Sequence, residues 1–134
     1  MRASLRWLLG AAYLAAAWFH VASPRGFLAI MPGWVPYPDA VVFWTGIAEG
    51  LSALALLQPW SRALRRAGGI GLALYAVCVF PANINHFALD MARPDGGWGL
   101  AYHLPRMALQ PVLVWLALWT GGVTSWPLAR RRVP

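Results

Sequence analysis

Six polar side chains stand in apolar surroundings along this chain: His20, Glu49, Asn83, His86, Arg106 and Gln110. Together they offer a carboxyl group, two imidazoles, two amides and a guanidinium. Such a set can hold a carbonyl or an anionic head, or can fasten helices to one another. The segment from Val77 to Phe87 concentrates the question, because Pro81, Asn83, Asn85 and His86 fall within six positions at the end of an apolar run, Ala67 to His86. Hydrocarbon supplies no water to such groups, so they need protein partners or a wet cavity.

Glu49 makes the strongest demand. It stands about half way along its apolar segment, where a carboxylate is costly unless it is protonated or paired, and that cost favours a functional role. For Asn83 and Gln110 helix packing is as good an account, since hydrogen bonds inside a membrane contribute roughly 0.6–2 kcal/mol each. For His20, His86 and His103 an interfacial or loop position suffices. No two histidines have the spacing of a helical ligand pair, and His103 reads as a loop residue, so no metal is expected. The single Cys78 lies in an apolar run and reads as a packing residue; one thiol makes neither an internal disulfide nor a Cys-x-x-Cys redox pair.

The elements that position these groups follow from composition. The chain has 134 residues, 60% hydrophobic and 11% charged, which suits one polytopic membrane domain and excludes an ordinary soluble one. Net charge is +7, and all 11 basic residues are arginine. They gather at segment ends, not along one exposed face, so no nucleic-acid partner is expected.

The spacing predicts four spans, at about 5–22, 40–58, 67–86 and 105–122. The first begins with Arg2 and Arg6 and contains Ala15–Ala17, in the manner of a signal peptide, but it continues through Trp18 and Phe19 and is long enough to span. Tyr13 and His20 share one of its faces. Pro24, Pro32, Pro36 and Pro38 then forbid a continuous helix, and the greasy segment between spans one and two reads as a Pro-rich interfacial loop. A short helical turn is expected at Gly26 to Met31. In the second span Thr45, Glu49 and Ser52 form one stripe, while Gly46 and Gly50 form a small-xxx-small pair. In the third, Pro81 should kink the outer end, and Asn83 and His86 share a face. In the fourth, Pro105 fits a first-turn position, and Arg106 and Gln110 share a face.

Arg2, Arg6, Arg62, Arg65, Arg66 and Arg130 to Arg132 lie on one side only if there are four spans. That places both termini and the central loop in the cytoplasm and two loops outside. The expected architecture is therefore all-α, an integral membrane four-helix bundle in a cytoplasmic membrane. Its polar groups converge on a pocket in the outer half, with Glu49 deepest, Arg106 near the mouth, and an Arg106–Glu49 interaction bridged by Asn83 or Gln110.

Several short motifs in this order resemble the DoxX family of small four-helix bacterial membrane proteins. They are His20 with Pro24; Phe27-Leu28-Ala29-Ile30-Met31-Pro32-Gly33-Trp34-Val35-Pro36; Gly46-Ile47-Ala48-Glu49-Gly50; Phe80-Pro81-Ala82-Asn83-Ile84; and Arg106 to Gln110. The last departs from the family's usual Arg-Leu-Pro-Leu-Gln, with Met107-Ala108 in place of Leu-Pro and the proline at Pro111. The resemblance implies the fold and a bacterial inner membrane. It also implies an association with quinol or thiosulfate:quinone redox systems; it implies no reaction.

Three functions are then expected, in order. The first is binding of a small hydrophobic or quinone-like ligand, with Glu49 and Asn83 orienting it, Arg106 and Gln110 at its polar head, and His20 and His86 nearby. The second is a non-catalytic accessory or assembly subunit of a membrane redox complex. The third is an enzyme using Glu49 as acid or base. No cofactor is specified by the residues.

Overall fold

A computed structural model describes residues 1–126. The expected tail cluster, Arg130 to Arg132, lies outside the described residues. The fold is all-helical, with no strand among the described residues: α1 (Arg2–Ala22), α2 (Arg25–Ala29), α3 (Pro38–Leu57), α4 (Arg62–Met91) and α5 (Leu100–Gly121). The four long helices pack α1 on α3, α3 on α4, α4 on α5, and α1 on α5, which closes the ring.

Local chemistry sets the boundaries. α1 ends at Ser23, whose N–H returns to the Phe19 carbonyl, and Pro24 follows. α2 is the short turn expected at the start of the Pro-rich segment. α3 starts with Pro38 in its first turn, where the missing N–H costs nothing. The preceding Tyr37 adopts a left-handed φ of 50°, unusual for a residue with a Cβ. Ser61 caps α4 by accepting from the Leu64 N–H at 3.2 Å.

Two boundaries correct the expectation. α4 starts at Arg62 and runs through Pro81 to Met91, so its 30 residues extend about 45 Å. α5 starts at Leu100, before Pro105, not at it. Pro105 is the sixth residue of the helix, so its missing N–H forfeits one bond near the start, the one to the Ala101 carbonyl. Gly99, at φ 72°, makes the entry turn. The loop expected between the third and fourth spans therefore shrinks to residues 92–99, and both Asp90 and His103 are helical.

α1, α3 and α4 are long and apolar enough to cross a membrane. α5 has the length, but its first half carries His103, Arg106 and Gln110. Burial is inverted relative to a soluble domain. Glu49, His103, Thr120, His20, Asn83 and Gln110 are buried, whereas Trp18, Phe19, Trp44, Leu51, Leu54 and Leu74 are exposed. This is a membrane protein: its outer surface is apolar, and most of its polar groups are gathered inside. The apolar core, Leu9, Tyr13, Ala53, Leu56, Leu72, Ala73 and Ala117, is rich in small residues that let helices approach closely.

Candidate functional site

The first polar group joins three helices. Gly46 of α3 passes directly over His20 in the last turn of α1; a Cβ at position 46 would lie 2.5 Å from the His20 Cβ. One turn further along α3, Glu49 reaches the ring, with Oε2 3.2 Å from His20 Nδ1. The same nitrogen lies 3.0 Å from the Ala16 carbonyl. Both neighbours of Nδ1 are acceptors, so it carries the proton. On the other edge of the ring, the Tyr75 hydroxyl of α4 lies 3.2 Å from Nε2. Phe27 of α2 stacks on the ring at 3.6 Å between centroids. Glu49 is 1% exposed, and neither of its oxygens takes a well-formed hydrogen bond among the described residues. His20 is the only group that can carry positive charge within ion-pair distance of it among the described residues.

The second group joins α4 and α5. Arg106 donates from Nη2 to Asn83 Oδ1 at 2.6 Å and from Nη1 to His86 Nδ1 at 2.8 Å. Its guanidinium carbon stands 5.6 Å from the centre of the Tyr102 ring, at cation–π distance. The Asn83 amide donates to Gln110 Oε1 at 3.2 Å, and the Gln110 amide donates to the Ala76 carbonyl. The expected Arg106–Glu49 contact is not made: Glu49 is taken by His20, and Arg106 by Asn83 and His86.

Beyond His86 the network continues to Asp90. Arginine can only donate, so His86 Nδ1 accepts and its proton resides on Nε2, facing Asp90 Oδ2 at 3.5 Å. The same oxygen takes His103 Nε2 at 2.9 Å and the Trp98 N–H at 3.0 Å. Gly97, at φ 54°, has no room for a side chain against the Asp90 carboxyl, so the 92–99 loop wraps closely round it. At the loop tip Arg93 grips Asp95 through two 2.9 Å bonds, and this fork holds the Asp95 carboxyl below the usual carboxylate range. Replacing Asp90 with alanine should free three donors at once. The Trp98 amide is expected to exchange with solvent about tenfold faster or more, measured by hydrogen–deuterium exchange; unchanged protection would mean the loop is held elsewhere.

His86, Asp90 and His103 bring three metal-capable donor atoms within 4.8 Å of one another. The donor set fits a cation poorly. A metal-bound imidazole normally donates from its second nitrogen, but His86 Nδ1 accepts from a guanidinium, which leaves the proton on the atom that would face the metal. A hydrogen-bonded relay from Arg106 to His103 accounts for these positions.

Between the two networks lies a cavity of about 440 Å³. His20 and Tyr75 form one polar edge, and Asn83, His86 and Arg106 the other. Phe27, Ile30 and Met31 roof it, and Val42, Cys78, Val79 and Ala82 line the rest. Thr45 also borders it, but its hydroxyl bonds back to the Val41 carbonyl at 2.6 Å. Asn85, pointing elsewhere, pins the roof by donating to the Ile30 carbonyl at 2.9 Å. Of the six expected site residues, four border the cavity: His20, Asn83, His86 and Arg106. Glu49 lies behind His20. Gln110 lies behind Asn83, beside a separate groove formed with Phe80, Pro111 and Val114. Tyr75, Phe27, Tyr102, Asp90 and His103 were not singled out by sequence reasoning as site residues. An aromatic in an apolar run carries no local signal, but the His86–Asp90 spacing of four is visible once the helix is allowed to continue.

Fold and site define an all-helical membrane protein with an interior polar network beside an apolar cavity. The chain belongs to the family described as a domain of unknown function, DUF8561, whose profile matches residues 9–121. Comparison with curated proteins and with solved structures gives no match.

Proposed function

We propose that this protein is a DoxX-like four-helix bundle of a bacterial cytoplasmic membrane, with α5 as the fourth span and both termini inside, and that it binds a small apolar molecule with an acceptor head. The arginine distribution supports the orientation: Arg2, Arg6, Arg62, Arg65 and Arg66 fall at one end. The observation that carries the ligand reading is the composition of the cavity. Its walls are apolar, and its two polar edges are the Arg106 guanidinium, a donor, on one side and the His20–Tyr75 pair, whose hydroxyl proton is taken by His20 Nε2, on the other. Among the described residues Arg106 donates to neutral acceptors, Asn83 and His86, so it retains charge for a ligand oxygen. A quinone, with a carbonyl to accept from Arg106 and a flat apolar ring to fill the rest, suits such an arrangement.

The test is native mass spectrometry of protein gently extracted from its own membrane. A retained small molecule is expected, held about tenfold to a hundredfold less well by Arg106→Gln, which removes the charge-assisted bonds. Equal retention in the variant, or an empty cavity in the unaltered protein, would sink the reading.

One observation favours the accessory-subunit alternative. Trp34, Tyr37 and Trp98 are all strongly exposed on the loops at the cavity end, a surface suited to a partner as well as to the membrane interface. A stoichiometric partner retained in mild detergent, with the cavity empty, would establish it. The acid–base reading of Glu49 has less support, because Glu49 reaches the cavity only through His20.

A further inference from the structure

At the end of the molecule opposite the cavity, five arginines converge. Arg2 and Arg6 come from the first turns of α1, and Arg62, Arg65 and Arg66 from the start of α4. They surround a depression of about 440 Å³ whose floor is the chain leaving α5. Positive-inside topology requires arginines on this side of the membrane but does not require them to share one hollow.

Two of them are fixed by neutral groups. Arg2 donates to the carbonyls of Trp119 and Thr124 and lies over the Trp119 ring, 5.1 Å from its centre. Arg65 donates to the carbonyls of Gln58 and Pro59, each at 3.3 Å. The Nε atoms of Arg6 and Arg65 are buried with no acceptor in reach among the described residues. The chain has four acidic side chains, and none is at this end. Glu49 is held by His20, Asp39 is in the first turn of α3, and Asp90 and Asp95 belong to the far loop. Five like charges so close, with two buried N–H groups unsatisfied, call for an anion with several oxygens. The planar fork of arginine matches phosphate in particular, and the α4 N-terminus adds its own partial positive charge.

We infer that this hollow is a binding site for a phosphoryl group, supplied either by the headgroup of an anionic phospholipid or by a free phosphate. A basic hollow between helices at a membrane surface is the setting in which lipid headgroups are held. The site is distinct from the apolar cavity and does not depend on what that cavity holds.

The experiment uses the full chain, delipidated in a neutral detergent. Phosphatidylglycerol, phosphatidylcholine and inorganic phosphate are added separately, and adducts are counted by native mass spectrometry alongside thermal unfolding. Phosphatidylglycerol is expected to remain bound and to raise the unfolding temperature, with phosphatidylcholine well behind. Inorganic phosphate alone reproducing the shift identifies a free anion as sufficient; a shift seen only with the lipid identifies the headgroup. Arg6→Gln with Arg65→Gln should weaken retention about tenfold or more. The pair Arg25→Gln and Arg93→Gln at the other end should not. If the first pair fails to fold, the exposed pair Arg62→Gln and Arg66→Gln decides. Equal retention of both lipids, or undiminished phosphatidylglycerol binding in a folded arginine variant, would overturn the inference.

Discussion

His20→Phe is expected to destabilise the protein by about 3–5 kcal/mol, and His20→Phe with Glu49→Leu by far less. Glu49 is essentially sealed from solvent, and His20 is its one potential cation within reach among the described residues. Phenylalanine keeps the stacking on Phe27 and the fit against Gly46 but removes the ring nitrogens. The carboxyl group is then left buried and unpaired, which is the expensive half of breaking such a pair. Replacing both members with apolar residues removes the unpaired group as well, so a double-mutant cycle should show a coupling of about 2 kcal/mol or more. Unfolding of the three variants in one detergent measures it. Equal losses in the single and double variants would mean that His20 matters for packing alone, and that Glu49 takes its support from elsewhere.

Gly69→Leu is expected to cost about 3 kcal/mol or more, at the upper end of what overpacking exacts. A Cβ at Gly69 would stand 2.7 Å from the Ala117 carbonyl oxygen and 3.0 Å from the Gly121 Cα. The relation is mutual, since a Cβ at Gly121 would lie 2.9 Å from the Gly69 Cα. These neighbours are backbone, which no rotamer change can move aside, so α4 and α5 would have to separate. Gly26→Ala is the matched control, because position 26 has nothing within 4 Å. Thermal unfolding should rank Gly69→Leu as the least stable and Gly69→Ala as intermediate, with the Gly26→Ala control near the unaltered chain. A Gly69→Leu variant as stable as the control would show that the two helices do not cross this closely.

These two sites also show what could be read from the sequence. Glu49 announced itself, because an ionisable group in the middle of an apolar segment is costly wherever the segment goes. Its partner did not: His20 is 29 positions away on another helix, and pairing between helices depends on their rotation. Gly46 was legible as a small residue in a packing pair, yet that it makes room for His20 in particular is a fact of the α1–α3 crossing. The convergence of Asn83, Arg106 and Gln110 was legible from helical spacing, since each lies toward the same end of the bundle. Asp90 and His103 were read as loop residues because Gly96, Gly97, Gly99 and Pro105 look like breakers. Helix α5 absorbs Pro105 at little cost near its start, and α4 outlasts its apolar run by about a turn. The hollow of arginines was visible only as a charge bias; that five of them face one another required the ends of α1, α4 and α5 to be brought together.

The cavity wall carries one more residue of practical weight. Cys78 is the chain's single thiol, it is exposed, and it borders the cavity between the two polar networks. The protein therefore contains its own attachment point for a spectroscopic probe. A spin label or environment-sensitive fluorophore placed there needs no engineered cysteine and no background thiols removed. It would report on filling and emptying of that space from a sequence otherwise unaltered.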